Sequence, residues 1–251
     1  MKLHVDLNAD LGEGVGHDEE LLELVTSANI ATGFHAGDSD TMHEAISAAH
    51  HRGVAIGAHP SFFDRENFGR KELPVAANEV FDAVTYQLGV FQAIAEAVGL
   101  RANHVKPHGA LYNMAVRDRT LADAVARAVS SVDPTLILFA SPRSELARAG
   151  EAEGLRVARE VFADRNYLAN GSLVSRTRPD ALLRDPAEAA ERALRMLHEG
   201  KVRSVDGADV DVQAETICVH GDTPGAVKFV RALRSTLEKE GVEIHAPKFS
   251  K

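Results

Sequence analysis

The sequence predicts a single α/β barrel spanning residues 1–251, and two observations carry that expectation. Apolar strand-like runs alternate with helical patterns along the chain, the order that builds a parallel sheet. Four of those runs end in histidine with glycine or proline close by: Asn29 to Gly37, Val54 to Pro60, His104 to Gly109 and Thr216 to Asp222. Polar groups gathered at strand ends mark the face on which barrels place their chemistry, and favour a barrel over a doubly wound sheet. His35, His59, His108 and His220 are therefore expected in one shared pocket.

Composition narrows the function classes. Hydrophobic residues make up 45% of the chain, enough for a large core, and no apolar run approaches the roughly 18 residues of a membrane span. Met1 to Asp6 meets an acidic residue too soon for a signal peptide, so a cytoplasmic enzyme is expected. Cys218 is the only cysteine, which excludes an intramolecular disulfide and a cysteine-rich zinc site. It lies in an apolar run and reads as inert packing. A net charge of -9 argues against a sequence-independent grip on nucleic acid.

The first strand reads Leu3 to Leu7 and runs into Asn8-Ala9-Asp10-Leu11-Gly12-Glu13, so Asn8, Asp10 and Glu13 leave its end as polar or acidic groups. The glycines beyond invite a dinucleotide fingerprint, but that motif wants an acidic residue closing the second strand, which here closes on Phe34-His35. A helix opens after it at Asp38 to Glu44. Thr41 and Glu44 have capping-box spacing, and Asp38 serves either as a cap or as a pocket residue. Gly53 ends that helix. The third strand delivers His59 into a long excursion from Pro60 to Arg70, and loops of that length in a compact domain are usually functional.

A helical pattern runs from Val75 to Val98, and the fourth strand, Ala102 to Lys106, gives Lys106 and His108 around Pro107. An ammonium in a barrel mouth needs an anionic partner, with Asp10 and Glu13 the candidates. The helix Arg119 to Val132, the strand Thr135 to Ser141 and a helix over Arg143 to Ala152 carry little polar chemistry. The sixth strand, Leu155 to Phe162, leads to Asp164 and Arg165, and the polar loop beyond it carries Arg176. A guanidinium fork at either arginine suits a carboxylate or a phosphate. Asp185-Pro186 opens a helix by the aspartate cap and proline-at-first-turn rule, and Lys201 to Asp211 reads as a charged connector without period. The seventh strand supplies His220 and Asp222, a last helix runs from Thr223 through Glu240, and Val242 to Ile244 has the length of a short eighth strand.

At Asp6-Leu7-Asn8-Ala9-Asp10-Leu11-Gly12-Glu13, Gly33-Phe34-His35-Ala36-Gly37-Asp38, Gly57-Ala58-His59-Pro60-Ser61, Val105-Lys106-Pro107-His108-Gly109-Ala110-Leu111-Tyr112 and Val219-His220-Gly221-Asp222, the chain resembles the LamB/YcsF family. That family includes the A subunit of the bacterial ATP-hydrolysing 5-oxoprolinase. The resemblance covers nearly the whole chain. It implies a (β/α)7 TIM-like barrel similar to those of glycoside hydrolases and polysaccharide deacetylases. It also implies cleavage of 5-oxo-L-proline to L-glutamate, coupled to hydrolysis of ATP to ADP and phosphate, in a complex with two further subunits, B and C.

A five-membered lactam is a stable amide, and phosphorylating its oxygen gives it a good leaving group. Water attack then needs a base and stabilisation of the developing charge. Asp10 is expected as the base with Glu13 as its alternate, and Lys106 and His108 as stabilisers of the oxyanion or phosphoryl charge. Asn8, His35, Asp38, His59, Arg165, Arg176, His220 and Asp222 are expected to bind substrate. No Gly-x-x-x-x-Gly-Lys-Ser/Thr loop occurs, so ATP with its magnesium is expected on a partner subunit. A metal arrangement stays open beside this one, with Asp10, His35 and His59 as one carboxylate and two histidines around a divalent ion. Deacetylase barrels use such a set, an argument by analogy. A stand-alone metal-dependent amide hydrolase would need neither ATP nor partners, whereas a non-catalytic substrate-binding subunit would carry affinity without rate.

Overall fold

Seven parallel strands close into a barrel in the computed structural model, which describes residues 3–219 and 225–248. In chain order the elements are β1 (His4–Leu11), α1 (Asp18–Leu22), β2 (Ser27–Ala31), α2 (Ser39–His51), β3 (Ala55–His59), α3 (Ala77–Ala97), β4 (His104–Val105), α4 (Gly109–Arg117), α5 (Arg119–Val132), β5 (Ile137–Ala140), α6 (Glu145–Ala152), β6 (Arg156–Phe162), α7 (Pro186–Glu199), β7 (Lys201–Arg203), β8 (Asp209–Asp211), β9 (Thr216–Val219), α8 (Ala226–Lys239) and β10 (Glu243–Ile244). Barrel neighbours run β1-β2-β3-β4-β5-β6-β9, and β9 returns to β1 from Asp6↔Thr216 to Ala9↔Val219, which seals the cylinder. Among the described residues no helix is long and apolar enough to cross a membrane.

Strand alternation explains both surfaces of the cylinder. On β1, Val5, Leu7, Ala9 and Leu11 face outward into the apolar cluster shared with the helices, while Asp6, Asn8 and Asp10 point inward. A small barrel has no pore, so its interior must be filled by side chains. Here the filling is largely polar and hydrogen-bonded. Asp6 accepts from Thr26 and Ser27, each at 2.7 Å, and from Thr216 at 2.5 Å. One layer up, Asn8 donates to Thr216 (2.7 Å) and Glu160 (3.2 Å), and Asn29 donates to Asn8 (2.7 Å). Ile137, Phe139 and Ala158 complete the lining as a separate apolar cluster, with Phe139 stacked on the His104 ring at 4.2 Å.

His104 fits because its neighbour on β3 is a glycine. A Cβ on Gly57 would lie 2.3 Å from the imidazole, inside contact distance, and the ring is pinned between Asn29 and Phe139. Gly57→Ala is accordingly expected to destabilise by about 1–3 kcal/mol, the usual cost of overpacking a filled core. A urea-unfolding midpoint indistinguishable from that of the parent chain would show that the ring can move aside.

Three elements differ from the sequence reading. β1 continues to Leu11, because polar residues at its inward positions broke the apolar pattern without ending the strand. The connector Lys201 to Asp211 forms the antiparallel hairpin β7–β8, in register Lys201↔Asp211 to Arg203↔Asp209. Two helices, α4 and α5, separate β4 from β5. The short strand near Val242 exists as β10, but it pairs with β1 at His4 and Val5, below the seal, and stays outside the closed ring. His220 and Asp222 lie outside the described residues.

Candidate active site

The carboxyl ends of β1 to β4 deliver the site. β1 brings Asp10 and then Glu13, the turn after β2 brings His35, β3 ends in His59, and Lys106 and His108 follow β4. All six are buried. The loop after β3 is held by Gln87 of α3, whose amide donates to the Ser61 carbonyl (2.9 Å) while its oxygen accepts from the Ser61 amide (2.9 Å) and the Thr32 hydroxyl (2.7 Å). The same loop carries Phe68 in the left-handed region at φ 56°. That strain of about 1 kcal/mol or more aims the Phe68 carbonyl at His108 Nε2, 2.9 Å away.

Glu13, His35, His59 and His108 offer ligand atoms that all lie within 4.8 Å of one another. Glu13 Oε1 is 3.2 Å from His35 Nε2, 3.4 Å from His108 Nδ1 and 3.9 Å from His59 Nε2. The tautomers follow from the outer partners. His59 Nδ1–H donates to the Lys106 carbonyl (2.6 Å) and His108 Nε2–H to the Phe68 carbonyl (2.9 Å). The inner nitrogens, His59 Nε2 and His108 Nδ1, are left to face each other across 2.9 Å. Burial, with the charges of His35 and His59 behind it, drives His108 well below the usual histidine range, and burial with His59 takes His35 down to about 3. Imidazole nitrogens converging beside a carboxylate suit a divalent cation, and the distal nitrogens of His59 and His108 are already fixed by backbone carbonyls.

The cluster differs in membership from the metal set read from the sequence. Glu13 and His108 join His35 and His59, while Asp10 stands beside them with Oδ2 3.3 Å from His59 Nε2. Asp10 Oδ1 instead accepts from Lys106 Nζ (2.8 Å) and Asn29 (2.9 Å). Lys106 is committed as well. Its ammonium reaches Glu160 at 3.1 Å and Cys218 Sγ at 3.0 Å in addition to Asp10, and these partners hold it charged against a burial that acts to discharge it. Its three protons thus face Asp10, Glu160 and Cys218, and its anionic partners are Asp10 and Glu160.

Other expected groups fall elsewhere. Asn8 is saturated inside the barrel beneath the pocket. Asp38 caps α2, accepting from the Thr41 amide at 2.9 Å, and is exposed. Arg165 is buried after β6, and Arg176 is half-buried in the following loop. Glu160, fully buried, escaped the sequence reading. Its signal was a carboxylate just before Val161 and Phe162 at the apolar end of a strand-like run, which burial tolerates only with a partner. Cys218, read as inert packing, contacts the Lys106 ammonium.

Beneath the site, His104 gives the barrel an acid sensitivity. Burial first, then Lys106, lowers it from 6.5 to about 3. Between those values the unfolded chain holds a proton that the folded chain lacks. Stability present above pH 6.5 is thus lost as pH falls toward about 3, at about 1.4 kcal/mol per pH unit. Asp6 acts oppositely: burial raises it to about 6 against its hydroxyl hydrogen bonds, and its contribution disappears as pH rises through that value. Because Asp6 is common to both proteins, His104→Gln is expected to flatten the acid decline. Urea midpoints at about pH 7 and about pH 4 measure it, and an unchanged slope would acquit His104.

Fold and site together define a class, the parallel α/β barrels with chemistry at their strand ends. The chain is similar to a T48 deacetylase solved with substrate, at 15% identity over 99% of this chain and 94% of that one, TM-score 0.53. It is also similar to the family 4 carbohydrate esterase from Streptomyces lividans in complex with acetate, at 12% identity over 98% and 93%, TM-score 0.52. These likenesses show the fold alone.

Within that class the chain belongs to the LamB/YcsF family, whose family model matches residues 5–250. It is 47% identical to the lactam utilization protein from Thermus thermophilus, over 98% of this chain and 100% of that one, TM-score 0.92.

Proposed function

We propose that this chain is a lactam-opening hydrolase, the A subunit of an ATP-dependent 5-oxoprolinase that converts 5-oxo-L-proline to L-glutamate. The observation that carries the reading is Asp10, fixed by Lys106 with its second oxygen turned toward the Glu13–histidine cluster. The family and the similar lactam utilization protein support the substrate class. ATP with magnesium, handled with partner subunits B and C in the cytoplasm, phosphorylates the lactam oxygen. A water oxygen then bonds to the ring carbon while its proton passes to Asp10. The carbon–nitrogen bond breaks, Asp10 returns the proton to the departing nitrogen, and a second water releases phosphate from the acyl phosphate to leave glutamate. A divalent ion bound by Glu13, His35, His59 and His108 would supply Lewis acidity at the same mouth. His59 and His108 are pre-set for that role by their hydrogen bonds to the Lys106 and Phe68 carbonyls.

The histidine cluster also favours a second reading, a metal-dependent amide hydrolase acting without ATP. One assay separates the two: glutamate release from 5-oxoproline, with and without subunits B and C, each with and without ATP, alongside elemental analysis of the purified chain. Release only with partners and ATP supports the first reading. Hydrolysis by this chain alone, abolished by chelator, supports the second. Silence in every combination from folded protein would overturn the lactam assignment. Site variants that weaken binding yet keep the rate at saturating substrate would make this chain a substrate-binding subunit.

A further inference from the structure

A histidine that binds a metal is usually oriented by a hydrogen bond at the nitrogen turned away from the ion. His59 and His108 have such a bond, to the Lys106 and Phe68 carbonyls. His35 does not. Its Nε2 lies 3.2 Å from Glu13 Oε1, while its Nδ1 is buried without a partner among the described residues. The ring is flanked by other rings, stacked on His108 at 3.9 Å and met edge-on by His59 at 5.6 Å and Phe68 at 5.7 Å. With no hydrogen bond at the far nitrogen, the task of aiming His35 at Glu13 falls to its backbone.

One side chain holds that backbone. Arg65, in the loop after β3, donates from a single Nη1 to the carbonyls of Gly33 and Gly37, each at 2.8 Å. Those carbonyls lie two residues before His35 and two after it, so the guanidinium ties both ends of the turn that carries the ring. Such charge-assisted bonds are stronger than neutral ones. The Gly33 amide closes the turn from within on the Ala36 carbonyl at 3.1 Å. Its far end rests on the Glu13 segment, where a Cβ on Gly37 would come 2.6 Å from the Gly12 carbonyl oxygen. Arg65 is itself exposed, but its loop is braced. The Gly69 amide donates to the Asp64 carbonyl at 2.7 Å, and the Asn67 side chain donates to Asp64 Oδ1 at 2.7 Å. Gly69 also passes so near the histidines that a Cβ there would lie 2.9 Å from His35 Cβ and 3.0 Å from His108 Cδ2. One loop on β3 thus reaches two ligands from neighbouring strands, His108 through the Phe68 carbonyl and His35 through Arg65.

We propose that Arg65 is a positioning residue of the metal site, tying the ends of the turn over residues 33–37 so that His35 Nε2 is held toward Glu13 before an ion arrives. This rests on the metal reading of the cluster and adds to it a residue outside the ligand set.

Zinc titration of the metal-free chain, by competition with a chromophoric chelator, tests this without requiring turnover. The proteins compared are the parent, Arg65→Met, Arg65→Lys, His35→Ala and the double variant Arg65→Met with His35→Ala, with thermal unfolding of each metal-free protein as the folding control. Arg65→Met is expected to weaken zinc binding about tenfold, the low end for removing an outer partner of a metal ligand. Its metal-free unfolding midpoint should stay close to the parent's, because the side chain is exposed. Arg65→Lys, which keeps a cationic donor, should recover part of the affinity. In the His35→Ala background the loss of Arg65 should cost nothing further, since its effect runs through that ring. Three results would overturn the proposal while leaving the metal reading intact: unchanged affinity in Arg65→Met, an equal loss with and without His35, or a metal-free midpoint lowered enough to account for the weaker binding. Absence of zinc binding by the folded parent would overturn both.

Discussion

Lys106→Met is expected to destabilise the barrel by about 3–5 kcal/mol and to abolish turnover, the usual result of removing one partner from a buried ion cluster. The ammonium bridges Asp10 at 2.8 Å and Glu160 at 3.1 Å, and both carboxylates are shielded from water. Methionine fills the space but leaves two buried carboxylates without a counter-ion, and Asn8 and Cys218 lose a shared contact. Urea unfolding near neutral pH measures the change. A loss below about 1 kcal/mol would mean that the carboxylates are satisfied without the lysine, against the argument that charge balance holds the interior together.

Asp10→Asn tests chemistry where Lys106→Met tests architecture. An asparagine can keep its oxygen toward Lys106 and Asn29 and turn its amide toward His59 Nε2, so the hydrogen bonds to Lys106 and Asn29 persist. What disappears is the capacity to take a proton. Turnover is therefore expected to fall about 10²–10⁴-fold, the range for a general base, with the near-ultraviolet circular dichroism of the folded protein preserved. Near-normal glutamate release by a folded Asp10→Asn protein would remove Asp10 from the role.

The strand ends were legible because a buried run that turns polar breaks pattern in a way few structural needs explain. His35, His59 and His108 meet in one cluster for that reason. Local chemistry was legible too: α5 spans Arg119–Val132 as its periodicity implies, and Asp185 caps α7 ahead of Pro186. The interior was harder to read. Asn8, Asp10 and Glu160 occupy inward strand positions where polar side chains satisfy one another, so period-two hydrophobic alternation understates β1 and conceals Glu160. The grouping of Glu13 with the three histidines was likewise invisible, as was the ion pair of Asp10 with Lys106, 96 residues further on. The β7–β8 hairpin was missed because its three-residue strands are too short and too charged to show a period.

The seam between β1 and β9 also bears on how the protein is made. Asp6 and Thr216 hydrogen-bond across 210 residues, so β1 leaves the ribosome long before β9, the strand that encloses its inward side chains. Until then the nascent sheet has two open edges and its buried acids face water. Interrupted synthesis anywhere before β9 should therefore yield not a smaller working enzyme but an unsealed sheet for chaperones and proteases to clear.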